Sequence, residues 1–278
     1  MAGSGGSGVV YVAYTSSGYQ PGVMDQIAPA TKAACRGAYS PYLLSAAYAG
    51  PVINLRRSAD NTTSDFYANT TGIIGQTANG LGTTLATWLG ASTAYVAILY
   101  DQSGSGNHAT QTTAAAQPVF NATSMLIDFL NSSSLYLVMP SNTVPAGVLN
   151  APYTFVTKHG TINNSAGALI CSGGFGVNNA NVLRVNAGNY LNYWYANDYG
   201  FGPYAPGNRV VVKYDSTNRI GYVNGVQQTP GPSSGYTSLA GPQYIGYDNQ
   251  GNWLNGQLYY VYIFGSAIPD ADRTILAV

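Results

Sequence analysis

Aromatic rings interleaved with amides and a carboxylate are the densest source of chemistry in this chain. Tyr190, Tyr193, Trp194, Tyr195, Tyr199, Phe201, Tyr204 and Trp253 crowd two Gly/Asn-rich segments, with Asn197 and Asp198 among them. Sugars lay their apolar C–H faces on such rings while amides and carboxylates take the hydroxyls, so the pattern suits a glycan platform. Two other readings stand beside it. A surface rich in Tyr and Trp also suits a protein contact. Alternate residues of Tyr190–Tyr195 must in any case face a core if that run is a strand.

Carboxylates are the scarcer resource, because the chain holds ten Asp and no Glu. Asp248 and Asn249 follow the run Tyr244-Ile-Gly-Tyr, where Asp serves either as a turn residue accepting backbone N–H groups or as a sugar ligand. Asp101 and Asn107 flank the Gly-rich string Asp101-Gln-Ser-Gly-Ser-Gly-Asn107, a turn in the first instance and an ion or ligand contact in the second. Asp60, Asn61 and Asp65 have the right atoms for calcium, but their spacing matches no ion-binding loop, and no metal is expected. His108 and His159 lie far apart without the partner pattern of a zinc site or a triad, so each reads as a satisfied surface His. Arg56-Arg57 puts one guanidinium on each face of a strand, with an Arg fixing the Asp60 loop favoured over a phosphate site. No cofactor is expected.

These residues need positioning, and the local patterns say by what. Val9–Tyr14 reads as a first strand, and Ala28 to Ala49 as two short helices between Pro29, Pro41 and Gly50. Val52–Arg57 alternates as a strand and leads into a polar loop, Ser58–Thr63. A short helix over Thr83–Leu89 precedes the strand Tyr95–Tyr100. From Tyr153 on the pattern is β, with strands over Tyr153–Thr157, Ala168–Cys171, Val182–Asn186 and Tyr190–Tyr195. Arg209–Tyr214 and Arg219–Val223 form a hairpin across Asp215–Asn218, and Asn224-Gly225 is a second, strong turn signal. Gln243–Gly246 and Gly256–Phe264 are strands, and Ile268–Leu276 closes as a short helix with Asp and Pro at its start. The sum is an all-β sandwich with a few short helices: a flexible Gly/Ser arm over residues 1–8 and a single domain over 9–278.

Composition narrows the partners. Charged residues make up 7% of the 278 and the formal net charge is zero, so solubility rests on hydroxyls and amides, including those of 24 Tyr. Three Lys and seven Arg are scattered and form no basic stripe, which argues against nucleic acid. No apolar run approaches the roughly 18 residues of a membrane helix, so no membrane insertion is expected. Cys35 and Cys171 permit at most one internal disulfide, and two buried thiols are the favoured reading.

Three strings carry a family resemblance. Ala38-Tyr-Ser40, Leu55-Arg-Arg-Ser-Ala-Asp-Asn-Thr-Thr63 and Tyr100-Asp-Gln-Ser-Gly-Ser-Gly-Asn-His-Ala-Thr-Gln111 resemble segments of the catalytic domain of fungal-type α-L-arabinofuranosidases of the B type. The resemblance implies a concanavalin-like β-sandwich (jelly roll). The Tyr-Val-Asn-Gly turn, the Ile-Gly strand end and the Gly-Gln-Leu strand also look like that laminin-G/concanavalin fold. It implies a retaining glycosidase centre, with two carboxyl groups about 5–5.5 Å apart. By resemblance Asp248, in Tyr244-Ile-Gly-Tyr-Asp-Asn249, matches the family's acid/base in a Gly-Gly-Asp-Asn string, with Tyr247 replacing one Gly. The family's nucleophile is a Glu on the strand after the Cys-bearing segment. The corresponding Asn181-Val-Leu-Arg-Val-Asn186 has no carboxylate, and the family's paired cysteines are reduced to Cys171.

The reading that follows is a non-catalytic surface or structural module of arabinofuranosidase-like fold, on a virion (capsid-associated or fibre-head) or extracellular. Its expected partner is a glycan or another virion or cell-surface protein, with a homo-oligomer left open. The expected carbohydrate-binding residues are Tyr193, Trp194, Tyr195, Asn197, Asp198, Asp248, Asn249 and Trp253. The alternative is a divergent retaining glycoside hydrolase with Asp248 as acid/base, which requires a second Asp within about 6 Å of it.

Overall fold

The computed structural model describes residues 22–69, 72–78, 84–130, 134–172, 174–233 and 235–277. The Gly/Ser arm and the Val9–Tyr14 strand lie outside them.

Valine, isoleucine and tyrosine alternation produces two antiparallel layers. One layer runs Cys35–Tyr39, Gly256–Phe264, Tyr153–Ile162, Arg209–Tyr214, Arg219–Val223 and Val226–Gln227 in spatial order. The other runs from Ile74–Ala78 through Thr63–Ala68, Ile53–Arg57, Ala94–Leu99, Ala109–Thr110, Leu137–Met139, Gln243–Ile245, Ala166–Ser172, Asn181–Asn186 and Asn189–Tyr193 to Tyr199–Pro203. The short pair Val119–Asn121 and Leu126–Asp128 joins the layers, bonding to Tyr95 on one side and to Leu258 on the other. The main core fills the space between, with Phe155, Val212 and Ile263 from the first layer meeting Leu137, Ile170, Leu183 and Ile245 from the second. Side chains of opposite parity on the first layer, among them Val156, Val211 and Tyr262, are covered by Val23, Met24, Ile27 and Leu276. No helix among the described residues is long and apolar enough to cross a membrane.

On the second layer, directly paired residues point to the same side. Register therefore sets one row on its outer face: Asp65, Asn54, Ile98, Thr110, Val138, Tyr244, Cys171, Val182 and Tyr193. Seven of these nine are half-buried, as an outer face requires; Cys171 and Val182 are buried beneath neighbouring rings.

Most of the expected strands are present, with Arg209–Tyr214, Arg219–Val223 and Gly256–Phe264 at the expected bounds. The turn between the last hairpin strands has Asn224 and Gly225 both at positive φ (49° and 82°), which those two residue types tolerate. The helical reading of Ala28–Ala49 needs correction. Pro29–Ala33 is helical, but Cys35–Tyr39 is a strand paired with Gly256–Phe264, because a ladder of partners outweighs modest Ala-rich propensity. The expected Thr83–Leu89 helix is Leu85–Leu89, capped where the Thr84 hydroxyl accepts the Thr87 N–H.

His159, expected at the surface, instead sits wholly inside, where hydrogen bonds satisfy both ring nitrogens. Its Nδ1–H donates to the Gly160 carbonyl (2.8 Å), its Nε2 accepts from the Tyr190 hydroxyl (2.7 Å), and its ring stacks on Tyr204. Burial pushes the imidazole down to about 4. The unfolded chain, whose His titrates near 6.5, therefore binds more protons than the fold between those two values. Stability is fully present above that window and is lost as the pH falls through it. Urea unfolding at pH 7 and pH 4.5 should differ by up to about 3 kcal/mol from this group, and His159→Gln should flatten that difference.

Candidate functional site

The candidate site lies at the Tyr193 end of the outer row. Gly246 ends the Gln243–Ile245 strand at φ 88°, where a Cβ would meet the Phe129 ring at 2.5 Å. The chain then loops over Tyr247–Trp253 and returns, with Leu254 N–H donating to the Gly246 carbonyl (2.8 Å). Asn249 (φ 60°) and Gly251 (φ 87°) make the reversal. This brings the Tyr247 and Trp253 rings face to face at 3.7 Å and 9°, with Tyr136 5.5 Å from Trp253.

Asp248 occupies the centre of this loop and is fully buried. Its Oδ1 accepts the Gln250 N–H (2.9 Å) and the Asn252 N–H (3.0 Å). Its Oδ2 accepts Asn252 Nδ2 (2.6 Å) and Arg184 Nη1 (3.2 Å). A carboxylate has about four lone-pair positions, and here four donors occupy them. This is the turn reading of Asp248, reinforced by an ion pair. Each carboxylate oxygen is thus bonded twice, and the acid/base reading would need one of these donors to give way to a glycosidic oxygen.

Arg184 comes from Asn181–Asn186, two residues beyond Val182 and on the same outer side. Its guanidinium lies 4.2 Å from the centre of the Tyr193 ring while it bonds Asp248. On the strand where the family resemblance looks for a nucleophilic carboxylate, the chain thus carries a cation. The other Asp residues are committed elsewhere. Asp198, the conceivable substitute, caps its own turn by accepting the Trp194 and Tyr195 N–H groups at 2.9 Å each. Asp60 holds Arg57 (2.5 Å), as expected of that loop, and Asp65 lies at the far end of the outer row. Burial, with the Asp248 carboxylate beside it, pushes the Cys171 thiol well above its ordinary range, so it is protonated at neutral pH.

The expected binding residues divide by strand parity. Tyr193 and Tyr195 reach the outer face with ring centres 5.8 Å apart, and Trp253 and the exposed Asn249 lie on the loop that Arg184 ties to the Tyr193 ring. Asn197 braces that edge through Asn178 (2.8 Å). Trp194 is the correction. It is fully buried, stacked on Tyr236 at 4.3 Å and under the Arg219 guanidinium at 3.7 Å, with its Nε1–H on the Tyr153 hydroxyl. Alternation between Tyr193 and Tyr195 sends it inward, and Tyr190, Tyr199 and Phe201 are interior as well. Sequence reasoning missed Arg184, Tyr136 and Tyr244 as members of the face. Arg184 was legible as the residue two beyond Val182. Tyr136 was not, since it depends on a short strand, Leu137–Met139, that the pattern did not announce.

Two antiparallel layers with a half-buried aromatic face on the outer side of one define a protein of the all-β sandwich class. Residues 25–200 match the family model of the α-L-arabinofuranosidase B catalytic domain, and the chain belongs to that family. The match ends ahead of the Asp248 loop. A GH54 α-L-arabinofuranosidase soaked with a cyclic sulfate inhibitor superposes with a TM-score of 0.68 at 17% identity, over 87% of this chain and 62% of that one. A mutant of a GH54 α-L-arabinofuranosidase soaked with 4-nitrophenyl α-L-arabinofuranoside gives 0.69 at the same identity and coverage. An arabinofuranosidase complexed with arabinofuranosyl-α-1,2-xylobiose gives 0.56 at 16% identity, over 92% and 65%. At these identities the shared feature is the fold, and the chain spans 62% of the length of the first two enzymes. A search among curated proteins returns no match.

Two substitutions separate the interior from the face. Trp194→Ala should cost about 3–5 kcal/mol in chemical unfolding, as large aromatic truncations in a core do. Asp248→Ala strands the Arg184 guanidinium and should cost about 3–5 kcal/mol, with Arg184→Leu in the same background recovering part of it.

Proposed function

We propose that this chain is a non-catalytic, glycan-binding module of arabinofuranosidase-like fold. The observation that carries the reading is the Arg184–Asp248 ion pair, a cation bonded to the carboxylate that the family resemblance makes the acid/base. Retaining hydrolysis needs one carboxyl group to attack and another to move a proton. An Arg cannot attack an anomeric carbon, and a carboxylate with four donors has no lone pair left to serve one. What the face retains is suited to holding a sugar: the Tyr247–Trp253 stack and the Tyr193 ring for C–H faces, and Asn249 for hydroxyls. The ion pair leaves the floor neutral overall, which matches uncharged sugars better than acidic ones. A virion or extracellular surface is the setting we propose for such a module, on its hydroxyl- and amide-rich composition.

The test is hydrolysis of 4-nitrophenyl α-L-arabinofuranoside and a panel of other aryl glycosides by wild type and Asp248→Asn. Folded wild type should release no nitrophenol above the buffer rate. Turnover by wild type that Asp248→Asn abolishes would overturn the reading in favour of a divergent glycoside hydrolase.

A further inference from the structure

The outer row does not stop at the candidate site. It continues across the sheet from Tyr244 to Asp65, five strand spacings or roughly 24 Å away. Its far end carries a second group of the same chemical kind. Asp65 Oδ1 accepts both Asn54 Nδ2 (2.7 Å) and the Tyr100 hydroxyl (2.8 Å). The His108 ring meets Tyr100 edge-on at 4.9 Å and 73°. Asn54, Asp65, Tyr100 and His108 are all half-buried, with part of each open to solvent. Parity places them on the candidate site's side: Tyr100 lies two residues beyond Ile98, and His108 two before Thr110.

The geometry points to a distal sugar subsite at Tyr100, Asp65 and Asn54, so that the face takes an extended neutral oligosaccharide laid across the strands rather than a single sugar. This rests on the glycan reading of the Tyr193–Trp253 end. Three features favour this occupant. Aromatic edges and amides recur at both ends, and the row between them is Ile98, Thr110 and Val138, small enough to let a chain pass. Of the nine side chains in the row, Asp65 alone is charged, which suits a polymer of hydroxyls and C–H faces and gives nothing to a polyanion. The Asp65 carboxylate also fixes the Tyr100 and Asn54 side chains before any ligand arrives, which lowers the ordering cost of binding.

The experiment is calorimetric titration of wild type with arabinobiose and arabinohexaose, and with xylobiose and xylohexaose as a second pair. One hexamer should bind about tenfold or more tightly than its dimer, the worth of one added stacking contact with its hydrogen bonds. Tyr100→Ala should bring that hexamer down to the dimer's affinity and leave the dimer unchanged, whereas Trp253→Ala should weaken both. Asp65→Asn keeps the Tyr100 ring and guards against a variant that fails to fold, with thermal melting run on each. Equal affinities for dimer and hexamer, or a hexamer indifferent to both distal variants, would sink the subsite while leaving the first site standing. Wild type that binds neither length would remove the glycan reading itself, and the subsite with it.

Discussion

The Asp101 carboxylate holds the two layers in their mutual position. It is buried at the end of Ala94–Leu99 in the outer-face layer, yet its Oδ1 accepts the Ala38 N–H (2.9 Å) from Cys35–Tyr39 in the other. The remaining lone pairs take the Ser103 N–H and hydroxyl and the Asn107 N–H. The turn these bonds define passes through Gly104 and Gly106 at positive φ, and Asn107 reaches on to the Arg36 carbonyl (2.7 Å). A buried charge is tolerable only when its hydrogen bonds are supplied, and here backbone amides from both layers supply them. With the layers so fixed, the outer row keeps its register across the sheet.

The chain's scarcity of charge gives its few ions structural duties. Arg219 is fully buried, roofed over Trp194 and bonded to the Asn192 and Asn197 carbonyls, so it sets the corner from which Tyr193 and Tyr195 project. Asp272 ties the closing helix to Thr31 and to the Ala28 N–H. Arg184 and Asp248 follow the same economy at the candidate site. Each pair joins segments distant in sequence where the surrounding layers are already in place, so geometry there is held by neighbours on all sides.

Much of this architecture was legible in the sequence because strands with one buried face announce themselves by period two. Arg209–Tyr214, Arg219–Val223 and Gly256–Phe264 alternate cleanly and end at Asn, Asp and Gly turns, so their bounds could be read directly. Short strands such as Val119–Asn121, Leu126–Asp128 and Leu137–Met139 could not, since three residues show no period. Thr63–Ala68 was concealed behind the polar run Ser58–Thr63. At the site, the Asp248 turn was readable from the Gly-Tyr-Asp-Asn string. The fate of Trp194 was not readable with it, because parity becomes an inward or outward direction only once the register with Asn181–Asn186 is known. The Arg184–Asp248 pair links positions 64 residues apart, a proximity that a single sequence does not encode locally.

Cys35 and Cys171 are both free and buried, one in each layer, and burial raises both thiols. Attack on a disulfide requires a thiolate with access to its target, and these sulfurs have neither the charge nor the path. Among the described residues the architecture therefore contains no covalent cross-link to make or break. Its shape is set by hydrogen bonds, ion pairs and packing, and thiol–disulfide exchange with the surroundings has no purchase on it.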